Sequence, residues 1–176
     1  MNLKIALVST ALALGVAGCM TPMASAPPAA AVTTAAAFVP MATSSNLFEI
    51  ESSRLALDRA RNPEVRRFAR QMIRDHNVAT RRMAAVVASS GLPMPPPTLT
   101  ARHQAMLASV QGAADFDAAY MGAQVMAHQE SIALFTSYGS NGDVPQLAAF
   151  ARQTLPNLQR HLDHAQSVGG ASARAM

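Results

Sequence analysis

Residues 65–86, VRRFARQMIRDHNVATRRMAAV, carry apolar side chains at Val65, Phe68, Met72, Ala79, Met83 and Val86. Spacings of three and four place them on one face of an α-helix. Position 76 falls on the same face, and it is a histidine. A titratable ring in an apolar stripe needs a partner, because burying it unpaired costs roughly a few kcal/mol. Any fold for this chain must therefore bury that helix face and satisfy that ring.

The rest of the chain supplies helices to pack against it. A first helix is expected from about residue 36 to 60, with Leu47, Ile50, Arg54 and Leu57 along one side and Phe48 and Leu55 widening it. Pro40 is tolerated only near its first turn. Asn62-Pro63-Glu64 is a start signal for the second helix: a capping side chain, a proline suited to the first position, and an acid at the positive terminus. So short a link makes the first two helices an antiparallel hairpin. Gly91 and the prolines at 93 and 95–97 stop the second helix.

A short amphipathic segment, residues 99–110, precedes a third long helix at about 114–138, which aligns Met121, Val125, His128, Ile132 and Phe135. The 91–112 interval is long for a simple hairpin link and can cross a bundle from end to end. Residues 139–143 make a turn in which Asp143 is the expected N-cap. The fourth long helix, about 144–168, aligns Leu147, Phe150, Thr154, Leu158, His161 and Ala165 and contains Pro156, where a kink is expected. No segment shows strand alternation. The expected class is all-α: a ferritin-like four-helix bundle with one long crossover carrying a short extra helix, over residues 35–168, its facing stripes burying one continuous core. Residues 169–176 read as a frayed tail.

The N-terminus reads as an address. Lys4 precedes an apolar run too short to span a bilayer with ease, and the run ends in Val16-Ala17-Gly18-Cys19. That tetrapeptide resembles the lipobox of bacterial lipoproteins, so residues 1–19 are expected to be a lipoprotein signal peptide and Cys19 the lipidated residue. Cys19 is the only cysteine, which leaves the mature chain without thiol chemistry. Residues 20–34 are a Pro/Ala-rich tether. Met20 after the cysteine, by resemblance to enteric sorting rules, favours the outer membrane. The expected partner is thus the membrane, through the N-terminal lipid. The net charge of +4 is small. The arginine stripe Arg66, Arg70, Arg74, Arg81 is tempered by Asp58, Glu64 and Asp75, which describes a solvated face and no nucleic-acid partner.

Several motifs form a family pattern: Phe48-Glu49-Ile50-Glu51, Leu55-Ala56, Asn62-Pro63-x-Val65, Phe68-Ala69, Met72 and Asp75-His76, then Phe116-Asp117, Tyr120, His128, Gly142-Asp143, Phe150-Ala151, Leu155-Pro156 and His161-Leu162. From Ala35 to Val168 the chain resembles the bacterial domain of unknown function 4142 family. The resemblance implies a ferritin-like fold in an exported protein, often labelled a predicted outer membrane protein, with no established activity and no agreed functional residues.

His76, His128 and His161 come from three helices and all take apolar-face positions. Glu49 lies 13 residues before Asn62 and His76 14 after it, so both sit about 20 Å from that turn. His161 fits less well, at an axial offset of roughly 7 Å from His128. One reading is a transition-metal site of imidazoles with the Glu49 carboxylate, with Asp75, Asp117 or Tyr120 as outer hydrogen-bond partners. The other is a set of satisfied core histidines that fix helix register. Convergence of the rings on a point within about 4–5 Å favours the metal; separate pairing of each ring favours structure. Ile73, Val125 and Leu158 stand three residues before the histidines, so the Glu-x-x-His pattern of a di-iron centre is missing. His103 reads as exposed, His164 as solvated, and Met72, Met83, Met121 and Met126 as packing.

The expected function is that of an exported, lipid-anchored helical bundle, a non-enzymatic envelope or stress-associated binding or structural protein. The alternative is a periplasmic transition-metal-binding protein using histidines from three helices.

Overall fold

The computed structural model describes residues 31–174. Five helices form, and among the described residues there is no strand: α1 (Ala35–Arg59), α2 (Pro63–Ser89), α3 (Ala101–Gly112), α4 (Phe116–Asn141) and α5 (Pro145–Arg174). The four long helices make a ferritin-like bundle in which α1 neighbours α2 and α4, and α5 neighbours α2 and α4. The crossover carrying α3 packs against α1 and α4. None of the described helices is long and apolar enough to cross a membrane. The expected lipobox and signal peptide lie outside the described residues, as does most of the expected tether.

Local chemistry sets the helix ends. Asn62 Oδ1 accepts from the Glu64 N–H at 2.9 Å, with Pro63 opening α2. α2 stops after Ser89, and just beyond it Gly91 takes φ +69° and lets the Leu92 N–H reach back to the Val87 carbonyl. At the α4–α5 turn the expectation for Asp143 fails. Its Oδ1 accepts from the Ala35 N–H at 2.8 Å and the Tyr138 hydroxyl at 3.0 Å. A carboxylate already holding the first turn of α1 is not spare for α5, which opens behind Val144. Gly142 is required there, since a Cβ would sit 2.6 Å from the Tyr138 carbonyl oxygen and 2.8 Å from its ring.

Where a frayed tail was expected from residue 169, α5 stays helical through Gly169 and Gly170 to Arg174, and residues 175–176 lie outside the described residues. Buried Ala165 and Val168 anchor the start of that stretch, and a Cβ added at Gly169 would lie 3.4 Å from that of Met121.

The core is not one continuous apolar mass. One cluster gathers Phe38, Tyr138, Leu147, Phe150, Met83 and Val87. A second gathers Phe68, Met72, Phe116, Tyr120, Met121 and Ala165 toward the α1–α2 turn. Polar residues pack the α1–α4 seam between them. Ser45 pairs with Ser131 at 2.6 Å, Ser52 with Gln124 at 3.1 Å and Ser53 with the Tyr120 hydroxyl at 2.8 Å, all buried. α1 thus buries Ser45, Glu49, Ser52, Ser53 and Ala56 together with Phe48 and Ile50 of the expected stripe, while Arg54 and Leu57 of that stripe face solvent.

Candidate metal centre

In the polar layer, His76 of α2, His128 of α4 and His161 of α5 meet. Ring centroids are 5.7 Å apart for His76–His128 and 5.4 Å for each of the other two pairs. Their exposures are 4%, 0% and 1%. The 7 Å offset expected for His161 disappears for two reasons. α4 runs on to Asn141 and α5 starts at Pro145, which shortens the mismatch. Side chains also lean toward the N-terminus of their own helix. His128 therefore leans away from the α4–α5 turn and His161 toward it, so the two tilts close the gap.

Each ring is held from outside through one nitrogen. His76 Nδ1–H donates to Asn46 Oδ1 at 2.7 Å, His128 Nδ1–H to the Gln124 carbonyl at 2.8 Å, and His161 Nε2–H to Asp75 Oδ2 at 2.9 Å. These acceptors put the ring proton on the outer nitrogen. The other nitrogens, His76 Nε2, His128 Nε2 and His161 Nδ1, then carry lone pairs, and they are buried with no hydrogen-bond partner. One ring nitrogen from each histidine lies within 4.8 Å of the other two. Separate pairing and convergence, posed above as alternatives, both hold: each ring has an acceptor at one nitrogen, and the three rings still come within ligand distance of one another.

Electrostatics keep the rings neutral. Burial lowers His76 well below the usual histidine range, helped by the two neighbouring imidazoles. Burial brings His128 down to about 4, and it outweighs the Asp75 carboxylate at His161, which is also lowered. A neutral imidazole is the form that binds a metal. Three nitrogens within 4.8 Å of one another share a point no more than about 2.8 Å from each, so shifts of roughly 0.7 Å bring all three to a metal–imidazole bond of about 2.1 Å.

Glu49 is placed differently from the sequence expectation. It is fully buried and both its oxygens lack hydrogen-bond partners, yet its Oε1 lies 3.4 Å from His128 Nδ1, the outer nitrogen. Among the described residues the group able to hold a metal is the three histidines without a carboxylate. Burial raises Glu49 well above the usual carboxylate range, against the opposing Gln124 amide. Of the expected outer partners, Asp75 reaches a ring. Asp117 instead accepts from the backbone N–H groups of Arg61 and Asn62, the latter at 2.8 Å, and ties the α1–α2 turn. Tyr120 bonds Ser53.

Two other histidines differ from expectation. His103 is 8% exposed, stacks on Phe48 and lies 2.6 Å from Ser44 Oγ, docking α3 on α1. His164 is half-buried, 3.1 Å from Gln71 Oε1 and edge-on to Phe68. Met72, Met83 and Met121 are buried in the two apolar clusters, while Met126 is exposed.

The family described as Domain of unknown function (DUF4142) matches residues 20–168. Among solved structures, CopM in the Cu(II)-bound form shares 19% identity at a TM-score of 0.66, over 78% of this chain and 97% of that one. A DUF305 fragment from Deinococcus radiodurans shares 17% identity at 0.66, over 77% and 94%. CopM in the Cu(I)-bound form shares 18% at 0.62, over 74% and 91%. These likenesses are of the helical-bundle fold. No curated protein matches.

Proposed function

The chain belongs to the DUF4142 family, whose description carries no activity, and from its own histidines we propose that it binds one transition-metal ion, copper foremost, through His76, His128 and His161. The observation that carries this is the convergence of three buried imidazoles, each offering one nitrogen within 4.8 Å of the others, with one nitrogen of each ring left without a hydrogen-bond partner. Each unsatisfied buried nitrogen costs about 1–3 kcal/mol. A purely register-fixing role needs only the outer hydrogen bonds and gains nothing from the inner orphans. Imidazole nitrogen suits copper and zinc. Copper is put first because CopM, a fold neighbour, occurs in Cu(II)-, Cu(I)- and Ag-bound forms.

Asp75, Asn46 and the Gln124 carbonyl would hold the ligand rings in the required tautomer, a role that typically sets metal affinity by 10–100-fold. The Val16-Ala17-Gly18-Cys19 motif supports a lipid-anchored protein whose bundle faces the periplasm. In that setting we infer sequestration or buffering of the ion rather than turnover, since the imidazoles are enclosed by packed helices.

The test is elemental analysis and equilibrium copper titration of the soluble bundle. One ion per chain, lost in His128→Ala, is the expected result. A wild-type protein that holds no copper or zinc at micromolar concentrations, and melts identically with and without chelator, would overturn the reading.

A further inference from the structure

The geometry points to the cleft between α2 and α5 as the port through which the ion reaches the histidines, with Asp75 as the residue that first captures it. The inference rests on the metal-binding reading and adds the route. The three imidazoles are at most 4% exposed, so an ion must enter past something. A cleft of about 450 Å³ opens between the two helices, lined by Asp75, Arg82, Gln153, Thr154, Asn157 and Arg160. Asp75 is the carboxylate in that wall; its side chain is 33% exposed, and its Oδ2 lies 2.9 Å from His161 Nε2. It touches solvent on one side and a ligand ring on the other.

The other two rings offer no equal path. The outer nitrogen of His128 ends on the Gln124 carbonyl beside buried Glu49, and that of His76 ends on Asn46, a neutral amide with no charge to draw a cation. At the cleft mouth Arg82 reaches across from α2 to Gln153 of α5, and Arg160 stands beside Asn157. These guanidiniums oppose entry of a bare cation, so the single carboxylate between them sets the rate.

A port changes association and dissociation together and leaves affinity nearly fixed, whereas an outer hydrogen-bond partner changes affinity. Stopped-flow mixing of aqueous Cu(II) with the metal-free bundle, followed by visible absorption, separates them. Asp75→Asn, which keeps an acceptor for His161, is expected to slow association about tenfold with dissociation no faster than wild type, whereas loss of the ring-holding bond alone would speed dissociation at an unchanged association rate. Arg160→Glu, a substitution on the exposed rim, is expected to speed uptake. Wild-type rates in both variants, or an Asp75→Asn protein that merely releases copper faster, would overturn the port while copper binding stood. A wild-type protein that takes up no copper removes the centre and the port together.

Discussion

Glu49 Oε1 lies 3.4 Å from Nδ1 of His128, with both side chains at 1% exposure or less, at the same nitrogen that donates to the Gln124 carbonyl. Burial there raises the carboxyl group well above its usual range. It sits beside the ring and outside the group of three histidines.

Glu49→Gln should therefore be nearly neutral for stability at acid pH, within about 1 kcal/mol, while Glu49→Ala should cost about 2–3 kcal/mol through the cavity it leaves. A raised folded pKa contributes stability below the unfolded value of 4.5 that is lost as pH rises through the folded value. The Gln variant lacks that loss and should gain on wild type toward neutral pH. Urea unfolding from pH 4 to 8 reads both effects; a constant difference across the range counts against a buried neutral acid.

The histidines impose the opposite slope. Their folded pKa values are lowered from 6.5, so the unfolded chain binds more protons and stability falls as pH drops. The window opens near 6.5 and, for His128, closes at about 4, a loss of about 3 kcal/mol from that ring. Thermal melts of metal-free protein between pH 7 and 4 should show it, and His128→Gln should shrink it. A flat profile down to pH 5 would be the contrary result.

Copper at a hundredfold excess over its Kd should stabilise the bundle by about 2.7 kcal/mol. That is a rise of roughly 5–10 °C in Tm for a domain of this size. Because the ion competes with protons for the same lone pairs, the rise should vanish near pH 4. Calorimetry with and without copper checks this, and a rise retained in a His76→Ala/His128→Ala double variant would place the ion elsewhere.

Asp143→Ala should cost about 1–3 kcal/mol, since it strips partners from the Ala35 N–H and the Tyr138 hydroxyl. The Tyr138 hydroxyl, pushed up to about 12 by burial and the Asp143 carboxylate, should titrate lower in that variant. Tyr138→Phe should cost less, and the double-mutant cycle should show coupling; strict additivity would argue against the staple.

Much of this was readable from the sequence because it is written in apolar spacing. Val65, Phe68, Met72 and Met83 line α2 as their period requires, and Asn62-Pro63 opens it. The three histidines were legible for the same reason. α1 was read only in part: Phe48 and Ile50 are buried as expected, but a search for apolar residues also follows Leu47 and Leu57 and passes over Ser45, Glu49, Ser52 and Ser53. Their period appears only beside their partners Tyr120, Gln124, His128 and Ser131 on α4. His103 and Asp143 were misjudged because their partners, Ser44 and Ala35, are distant in sequence and are brought close only by the fold.

The division of the core has a consequence for motion. Oily packing grips the bundle at both ends, while its waist is hydrophilic and, without an ion, holds three imidazoles that share no bond. Breathing should start at that waist, so backbone amides flanking positions 49, 76, 128 and 161 should exchange with deuterated solvent sooner than those beside Phe38 or Phe68. An ion seated there would act as a rivet, closing the weakest storey of the building without touching either end.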